Sequence, residues 1–276
     1  MNNIRKYYEK EMKLFSDNYV VNWHEHVWDD GKGHMNEAGC EALYEGACAT
    51  YMDKVLISCP VVAGDASAAT EERCRQVNNV IAEAVKRHPD KYMGMCFVCG
   101  GLKDKAVEEV KRCIDMGFVG VKLYHQYVIN DPMMYQLVEA CIRFDVPILV
   151  HAGKLTYQPE SQPRISSGQH FADIGRRYPE ANFIMAHITG GGDWHWQLKA
   201  IADVKNVVTD LSGSVCDNPV VEETVRVLGA DRVLFGTDGT LFSCIGKILG
   251  SNISVEDKKT ILAGKAYDRF IRKAGK

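Results

Sequence analysis

Short apolar runs of β-type composition alternate with helix-like segments along almost the whole sequence. The runs read YVVNWH, DKVLIS, KYMGMCFV, FVGVKLY, VPILVH, ANFIMAH, NVVTDLS and DRVLFGTD. Between them, apolar residues recur at helical spacing in 68–87, 103–116, 131–144, 167–178 and 217–228, and a last helix is predicted over 254–273. Strands that alternate with helices form a parallel sheet, and eight such units close naturally into a barrel.

The length of the chain agrees with this architecture, since a barrel of eight β/α units has about 250 residues and this chain has 276. No linker, repeat or low-complexity tract interrupts the alternation. We therefore predict an α/β fold, a slightly distorted (β/α)8 TIM barrel with an N-terminal helical extension, in a single domain over 1–276. The long connection 152–168 follows the fifth run, where a barrel loop is expected to act as a lid or specificity loop.

Composition and charge exclude several kinds of partner. The chain has 33 basic and 36 acidic residues, a formal net charge of −3, and no dense basic cluster that would bind nucleic acid or an anionic membrane. The N-terminus lacks the apolar core of a signal peptide, and no apolar run approaches the roughly 20 residues of a membrane span. Ten scattered cysteines suit reduced thiols. We expect a cytoplasmic protein with a small-molecule substrate, and the sequence leaves a homo-oligomer open.

Histidines and an aspartate stand where predicted strands become loops. His24 closes the first run and His26 lies just beyond it, while His151 closes the fifth run, His187 the sixth and Asp238 the eighth. The carboxyl ends of barrel strands meet at one mouth, which is where barrel enzymes carry their active sites. A single histidine at a strand end is more often an ordinary core or surface residue. Five ligand-type side chains at one mouth instead predict a metal site.

Alternation along a strand predicts which of these side chains point inward, because residues two apart share a face. His24 and His26 are expected to point into the barrel, with Trp23 and Glu25 directed to the helix layer or the rim. The same alternation predicts further inward residues, namely Phe183, Met185 and His187 in the sixth run and Leu234, Gly236 and Asp238 in the eighth. Each candidate ligand can therefore face the barrel axis.

Six motifs, in the order NWHEH, GVKLY, ILVHAG, IMAHITGG, VVTDLSGS and VLFGTDGT, resemble those of the amidohydrolase superfamily, specifically its amidohydrolase-2 branch. The similarity runs from about residue 19 to 270. It extends to ILAGKAYDRF, which resembles a closing Gly-Asn-Ala helix start of the branch, although Lys265 stands where asparagine is usual. The resemblance implies a metal-dependent hydrolase built on a TIM barrel.

Carried over residue by residue, the resemblance implies that His24, His26, His151 and Asp238 bind a divalent metal, usually zinc. Asp238 would also move a proton between the metal-activated water and the leaving group, and His187 would be the catalytic imidazole. Such a donor set leaves a position open for water, whose pKa falls from about 15.7 toward 7 on the metal. The expected reaction is hydrolysis of an amide, lactone or related carbonyl bond in a small molecule.

Lys122 and the residues around the mouth allow more than one interpretation. In binuclear relatives a carboxylated lysine on the fourth strand bridges two metals, whereas in the mononuclear pattern usual for the branch an inward lysine such as Lys122 pairs with an acid. We favour one ion over two. Candidates for substrate contact are Tyr124, His125, Arg164, Trp194, His195 and Trp196. Arg164 suits a substrate carboxylate and equally a solvated loop, and the glycines before Trp194 suit an anion site or, more often, a tight turn.

Three functions are compatible with this pattern. A metal-dependent hydrolase is favoured. A metal-dependent decarboxylase of a small carboxylic acid is the alternative, because the branch resembles both kinds of enzyme and the ligand set is the same. A non-catalytic binding barrel is less expected, because every ligand type stands at its strand end.

Overall fold

A computed structural model of the protein describes residues 2–153 and 160–274. Within these residues, eight parallel strands follow one another in sequence order around one sheet. The strands are β1 (Val21–His26), β2 (Lys54–Ser58), β3 (Tyr92–Phe97), β4 (Gly120–Leu123), β5 (Ile148–Val150), β6 (Phe183–Met185), β7 (Val207–Asp210) and β8 (Val233–Leu234). β8 meets β1, because Trp23 N donates to Phe235 O at 2.8 Å and Asp238 N donates to His24 O at 2.8 Å. The predicted TIM barrel is confirmed.

Helices alternate with the strands, and two short helices precede β1 as the predicted N-terminal extension. The helices are α1 (Asn2–Glu11), α2 (Lys13–Ser16), α3 (Glu37–Ala49), α4 (Glu71–Arg87), α5 (Asp104–Asp115), α6 (Tyr135–Phe144), α7 (Gly168–Arg177), α8 (Trp194–Ile201), α9 (Val220–Leu228), α10 (Leu241–Gly250), α11 (Val255–Leu262) and α12 (Asp268–Ala274). Among the described residues, no helix combines the length and the apolar character needed to cross a bilayer.

The single last helix predicted over 254–273 is wrong, since α11 and α12 are separated by a turn. Gly264 lies in this turn with φ +61°, a backbone conformation that other residues rarely adopt. A side chain at this position would also collide with the indole nitrogen of Trp23. The chain therefore bends at Gly264, and α12 is redirected under the barrel.

Polar side chains fix where several helices begin. Thr70 Oγ1 accepts a hydrogen bond from Arg73 N at 3.1 Å at the start of α4. Ser254 Oγ accepts from Asp257 N at 3.0 Å at the start of α11. Each cap satisfies a backbone donor that has no partner inside the helix, which favours the helix start at that residue.

The buried apolar side chains form an outer group between strands and helices and an inner group within the barrel. The inner group contains Val21, Trp23, Leu56, Met95, Val119, Leu149, Ile184, Ala186, Val208, Leu234, Tyr267, Phe270 and Ile271. Tyr267 Oη donates to Phe183 O at 3.1 Å, at the amino end of β6. The C-terminal segment thus closes the amino end of the barrel and leaves the carboxyl end open for the site.

The inward alternation predicted for β1 and β6 is wrong in part. Phe183 and Met185 pack in the outer group. His187 nevertheless faces the interior because its φ of +62° interrupts the alternation after the strand. In β1 the pairing with β2 shifts register between Asn22 and Glu25, so Trp23 packs inside the barrel rather than against the helices or at the rim.

Lys247 of α10 ties together the loops after β6 and β7. Its buried ammonium donates to Thr189 Oγ1 at 2.6 Å, to Leu211 O at 3.2 Å and to Gly213 O. Lys247→Met keeps a long alkyl chain but leaves these acceptors without the charged donor. We expect the free energy of unfolding, measured in urea, to fall by about 2–4 kcal/mol.

Lys259 provides the matched control for this substitution. Its ammonium is on the surface and contacts Glu256 at 2.8 Å, so Lys259→Met should cost less than about 1 kcal/mol. Equal losses in the two variants would show that Lys247 does not stabilise the loops at the mouth.

Candidate metal centre and active site

A cavity of about 220 Å³ opens at the carboxyl ends of the strands. Its walls include His151, Gln162, His187 and Asp238, together with glycines of the loops after β6 and β7. Part of the predicted lid, 154–159, lies outside the described residues. The described part contributes Gln162 to the cavity wall, so this loop borders the site.

The five predicted strand-end residues come together at the base of this cavity. His24, His187 and Asp238 each offer a donor atom, and these atoms all lie within 4.8 Å of one another. His26 Nε2 lies 2.8 Å from Asp238 Oδ1, and His24 Nε2 lies 3.7 Å from the same oxygen. His151 Nδ1 lies 3.0 Å from His187 Nε2. The trio of His24, His187 and Asp238 thus contains His187, which the resemblance implies to be catalytic rather than a ligand.

The electrostatics of this group suit a divalent cation. Burial lowers the pKa of the His187 imidazole to about 4 and lowers the pKa of His24 and of His151. Burial by itself raises the pKa of Asp238, but the neighbouring imidazoles of His24 and His187 and the hydrogen bond from His26 outweigh it and hold that pKa well below its usual range. Neutral imidazoles and an ionised carboxylate are the protonation states in which these side chains bind metals. The donor set therefore fits the implied ion.

Lys122 lies inside the barrel, as its position in β4 predicted. Its side chain is fully buried, and its Nζ lies 2.5 Å from His24 Nε2. Burial lowers the pKa of this ammonium to about 8, although the charges of Asp238 and Asp210 act in the opposite direction. Lys122 therefore contacts the candidate metal ligands directly, and its partner is the His24 imidazole rather than an acid.

Asp210 and Ser212 support the cluster from behind, and neither was predicted as a site residue. Asp210 Oδ2 lies 2.9 Å from His24 Nδ1, and Asp210 Oδ1 accepts from His187 N at 3.0 Å. Ser212 Oγ lies 2.8 Å from His187 Nδ1. The sequence did carry a signal for Asp210, since it lies near the end of the seventh run, much as Asp238 closes the eighth.

Glu25 holds the turn that presents Asp238. The Glu25 carboxylate is buried, and it accepts hydrogen bonds from Gly239 N at 3.1 Å and from Thr237 Oγ1. Asp238 between these donors has φ +44°, a left-handed conformation that is uncommon outside glycine. Glu25 thus stabilises the left-handed turn that carries Asp238 at the carboxyl end of the barrel.

The predicted substrate contacts on the β4 side lie next to the cluster. Tyr124 stacks on His151 with ring centroids 4.3 Å apart, and burial raises the pKa of its phenol to about 12. His125 is buried and lies against Tyr124 at 4.6 Å. Tyr124 is therefore placed between the candidate metal centre and the His125 ring.

The predicted contacts from the later loops point elsewhere in this structure. Arg164 is exposed and donates to Gln126 O at 3.1 Å. Trp194 is buried, and its indole nitrogen donates to Asp217 Oδ2 at 3.1 Å. The rings of Trp194 and His195 are stacked 3.4 Å apart, and Trp196 is 69% exposed. The described cavity wall contains none of these four residues, and their contact with substrate stays a prediction.

A curated protein resembles this chain in sequence. The 2-amino-3-carboxymuconate-6-semialdehyde decarboxylase of Dictyostelium discoideum is 21% identical over an alignment of 235 residues, and the match covers 70% of this chain. The match covers 64% of that protein, so this chain spans less than two thirds of the length of the curated relative.

Solved structures of decarboxylases share the fold. A 2,6-dihydroxybenzoate decarboxylase from Rhizobium is 18% identical with a TM-score of 0.72, and the match covers 93% of this chain and 99% of that one. A 5-carboxyvanillate decarboxylase from Novosphingobium aromaticivorans, with manganese and 4-hydroxy-3-methoxy-5-nitrobenzoic acid bound, is 15% identical with a TM-score of 0.72, covering 93% of this chain and 97% of that one.

These comparisons contradict the favoured expectation of a hydrolase. The curated relative and both of these solved structures are decarboxylases, which agrees with the alternative instead. The metal in the solved relative is manganese, so a divalent metal is supported in the relatives while zinc in particular is not. The family resemblance, together with a donor set that can activate water, had favoured hydrolysis, but the same donors can hold the metal of a decarboxylase.

A family model described as Amidohydrolase matches residues 21–242. This span begins with β1, contains all eight strands and includes each of the five strand-end residues. The resemblance predicted from the motifs is confirmed, and this chain belongs to the amidohydrolase family.

Proposed function

We propose that this chain is a metal-dependent decarboxylase of a small carboxylic acid, with 1–276 acting as one catalytic domain. The observation that carries this proposal is the trio of His24, His187 and Asp238, whose donor atoms lie within 4.8 Å of one another, beside a cavity that His187 and Asp238 line. The decarboxylases among its relatives support the choice of reaction. A bound divalent ion would supply a positive charge that holds substrate oxygens and stabilises negative charge developing in the reaction.

We assign the ion to His24, His26, His151 and Asp238, as the family resemblance implies. His26 Nε2 and His24 Nε2 both face Asp238 Oδ1, at 2.8 Å and 3.7 Å. Since His187 belongs to the trio with His24 and Asp238, the metal content of variants is needed to distinguish a ligand from the catalytic imidazole. We expect His151→Ala to lose most of the bound metal and His187→Ala to keep it while losing activity, as measured by elemental analysis of the purified variants. The opposite pattern would exchange the two roles.

The reaction also needs a proton carrier in the chain. Loss of carbon dioxide leaves an electron pair on carbon, and that carbon must then receive a proton. Asp238 lines the cavity, and its side chain is 27% exposed. Because its pKa lies well below the usual range, Asp238 delivers a proton only after accepting one from the substrate or from solvent. His187 borders the same space and is the second group placed to hold that proton.

Isotope labelling tests the reaction type. The metal-loaded protein is incubated in ¹⁸O-water with 2,6-dihydroxybenzoate, 5-carboxyvanillate and 2-amino-3-carboxymuconate 6-semialdehyde, and gas and products are analysed by mass spectrometry. We expect one carbon dioxide per product molecule and no solvent oxygen in the organic product for at least one of these acids. Turnover that places ¹⁸O in the organic product without release of carbon dioxide would contradict the proposal.

Lys122 bears on the number of ions. We propose one ion per chain, with Lys122 acting as a buried ammonium beside His24. Lys122→Ala should then leave the stoichiometry near one in elemental analysis of the loaded protein. A wild-type value near two that falls in Lys122→Ala would assign Lys122 to a bridge between two metals.

A further inference from the structure

Asp210 occupies a fully buried position behind two imidazoles of the site. His24, Asp210 and Ser212 are each 0% exposed. Asp210 Oδ2 lies 2.9 Å from His24 Nδ1. Asp210 Oδ1 accepts hydrogen bonds from His187 N at 3.0 Å and from Ser212 N at 3.0 Å. One carboxylate thus contacts both histidine-bearing segments without facing the cavity.

The contact with Asp210 decides which nitrogen of His24 carries the proton. An ionised carboxylate only accepts hydrogen bonds, so the neutral imidazole must place its proton on Nδ1. His24 Nε2 is then left with a lone pair. The contact on the other side of the ring favours the same tautomer. There Nε2 lies 2.5 Å from the Lys122 ammonium, and an ammonium only donates hydrogen bonds. The tautomer that presents Nε2 to the site is therefore favoured from both sides.

Ser212 extends the same selection to His187. A hydroxyl has one proton, and Ser212 Oγ donates it to Asp210 Oδ1. The oxygen can then only accept from His187 Nδ1, which lies 2.8 Å away. His187 carries its proton on Nδ1 as a result, and its Nε2 lone pair points toward His151, whose Nδ1 lies 3.0 Å away.

We propose that Asp210 and Ser212 are positioning residues that select one tautomer for both imidazoles, Asp210 directly for His24 and through the Ser212 hydroxyl for His187. This inference deepens the proposed metal site and rests on it for its functional meaning. The tautomers themselves do not depend on the identity of the reaction. A buried partner behind a metal-binding histidine typically changes metal affinity by 10- to 100-fold when it is removed.

The test compares Asp210→Asn and Ser212→Ala with wild type in the full chain. Nitrogen-15 NMR of the histidine rings in the metal-free protein distinguishes protonated from unprotonated ring nitrogens, and calorimetric titration with Mn²⁺ measures affinity. In Asp210→Asn the amide donates toward Nδ1 and removes its acceptor, so we expect His24 to lose its fixed Nδ1 proton and the Mn²⁺ affinity to fall about 10- to 100-fold. In Ser212→Ala we expect His187 to lose its fixed Nδ1 proton, with a smaller loss of affinity.

Two controls separate tautomer selection from general support of the loops. Asp217→Asn makes the same chemical change in the loop after β7, where the carboxylate contacts Trp194 instead of an imidazole. Thr189→Val removes hydrogen bonds to Leu211 O and Ser212 O and an acceptor of the Lys247 ammonium, so it weakens the loops without removing a partner of either ring. Both controls should keep the wild-type ring signals. Their Mn²⁺ affinity should stay within about threefold of wild type, which is smaller than the 10- to 100-fold loss expected when the partner behind a metal-binding histidine is removed.

The outcomes separate this inference from the proposed function. Unchanged ring signals in Asp210→Asn and Ser212→Ala overturn the inference, whatever the enzyme does. If Asp210→Asn does not fold, the His187 signals of Ser212→Ala decide it alone. Failure to release carbon dioxide from any tested acid, with the ring signals changed as expected, would overturn the decarboxylase and leave the tautomer selection standing.

Discussion

Replacing Asp238 by asparagine is expected to lower kcat/KM for decarboxylation by about 10³-fold, within the range for loss of a proton-transferring group. Asparagine has nearly the same shape and tolerates left-handed backbone, so the turn at φ +44° should persist. The variant still removes the charge that faces His26 Nε2 at 2.8 Å and the only carboxylate of the close trio. The expected loss is therefore electrostatic and chemical rather than structural.

Asp203→Asn is the matched control, because it makes the same chemical change on the surface, outside the candidate active site. Its carboxylate is on the surface and contacts Arg176 at 3.1 Å, so Asp203→Asn should retain wild-type kcat/KM. The assay measures carbon dioxide release under metal-saturating conditions, with the thermal midpoint of each variant recorded. An Asp238→Asn protein that keeps activity within tenfold of wild type would remove Asp238 from the proposed proton transfer.

The barrel was predictable because its information lies in short-range periodicity. Eight apolar runs and the helical segments between them specify a parallel sheet, and parallel strands that close on themselves bring all carboxyl ends to one mouth. The strand-end positions of His151 and His187 follow from this rule. Local exceptions to the periodicity were not predictable, since φ +62° at His187 and the register shift near Glu25 arise from tertiary contacts.

The supporting shell of the site was harder to predict than its ligands. Asp210 and Glu25 act through hydrogen bonds between particular atoms, and these bonds depend on distances across the barrel. Asp210 reaches His24, which is 186 positions away in the chain, and Glu25 reaches Gly239. Residue type and strand position specify that such groups are near the mouth but do not specify their partners.

The reaction type could not be derived from the ligand residues, because the same donors serve hydrolysis and decarboxylation. What distinguishes the two is the substrate that fits the cavity. Its walls are formed by loop residues such as Gln162 and by glycines after β6 and β7, and loops carry no periodic signal. The decarboxylases among the relatives therefore support the proposed reaction, which the pattern left open.

Removing the metal is expected to abolish activity and to lower the thermal midpoint. A ligand at about 100 times its Kd stabilises a protein by about 2.7 kcal/mol, and a chain of this size shifts by about 2–4 °C per kcal/mol. Adding Mn²⁺ to chelator-treated protein should therefore raise the midpoint by about 5–10 °C and restore carbon dioxide release.

His24→Ala should show neither effect. His34→Ala, which removes an exposed imidazole paired with Asp30 at 2.9 Å, should show both. An equal shift in His24→Ala would place the ion elsewhere, because His24 belongs to the buried trio on which the proposed centre depends.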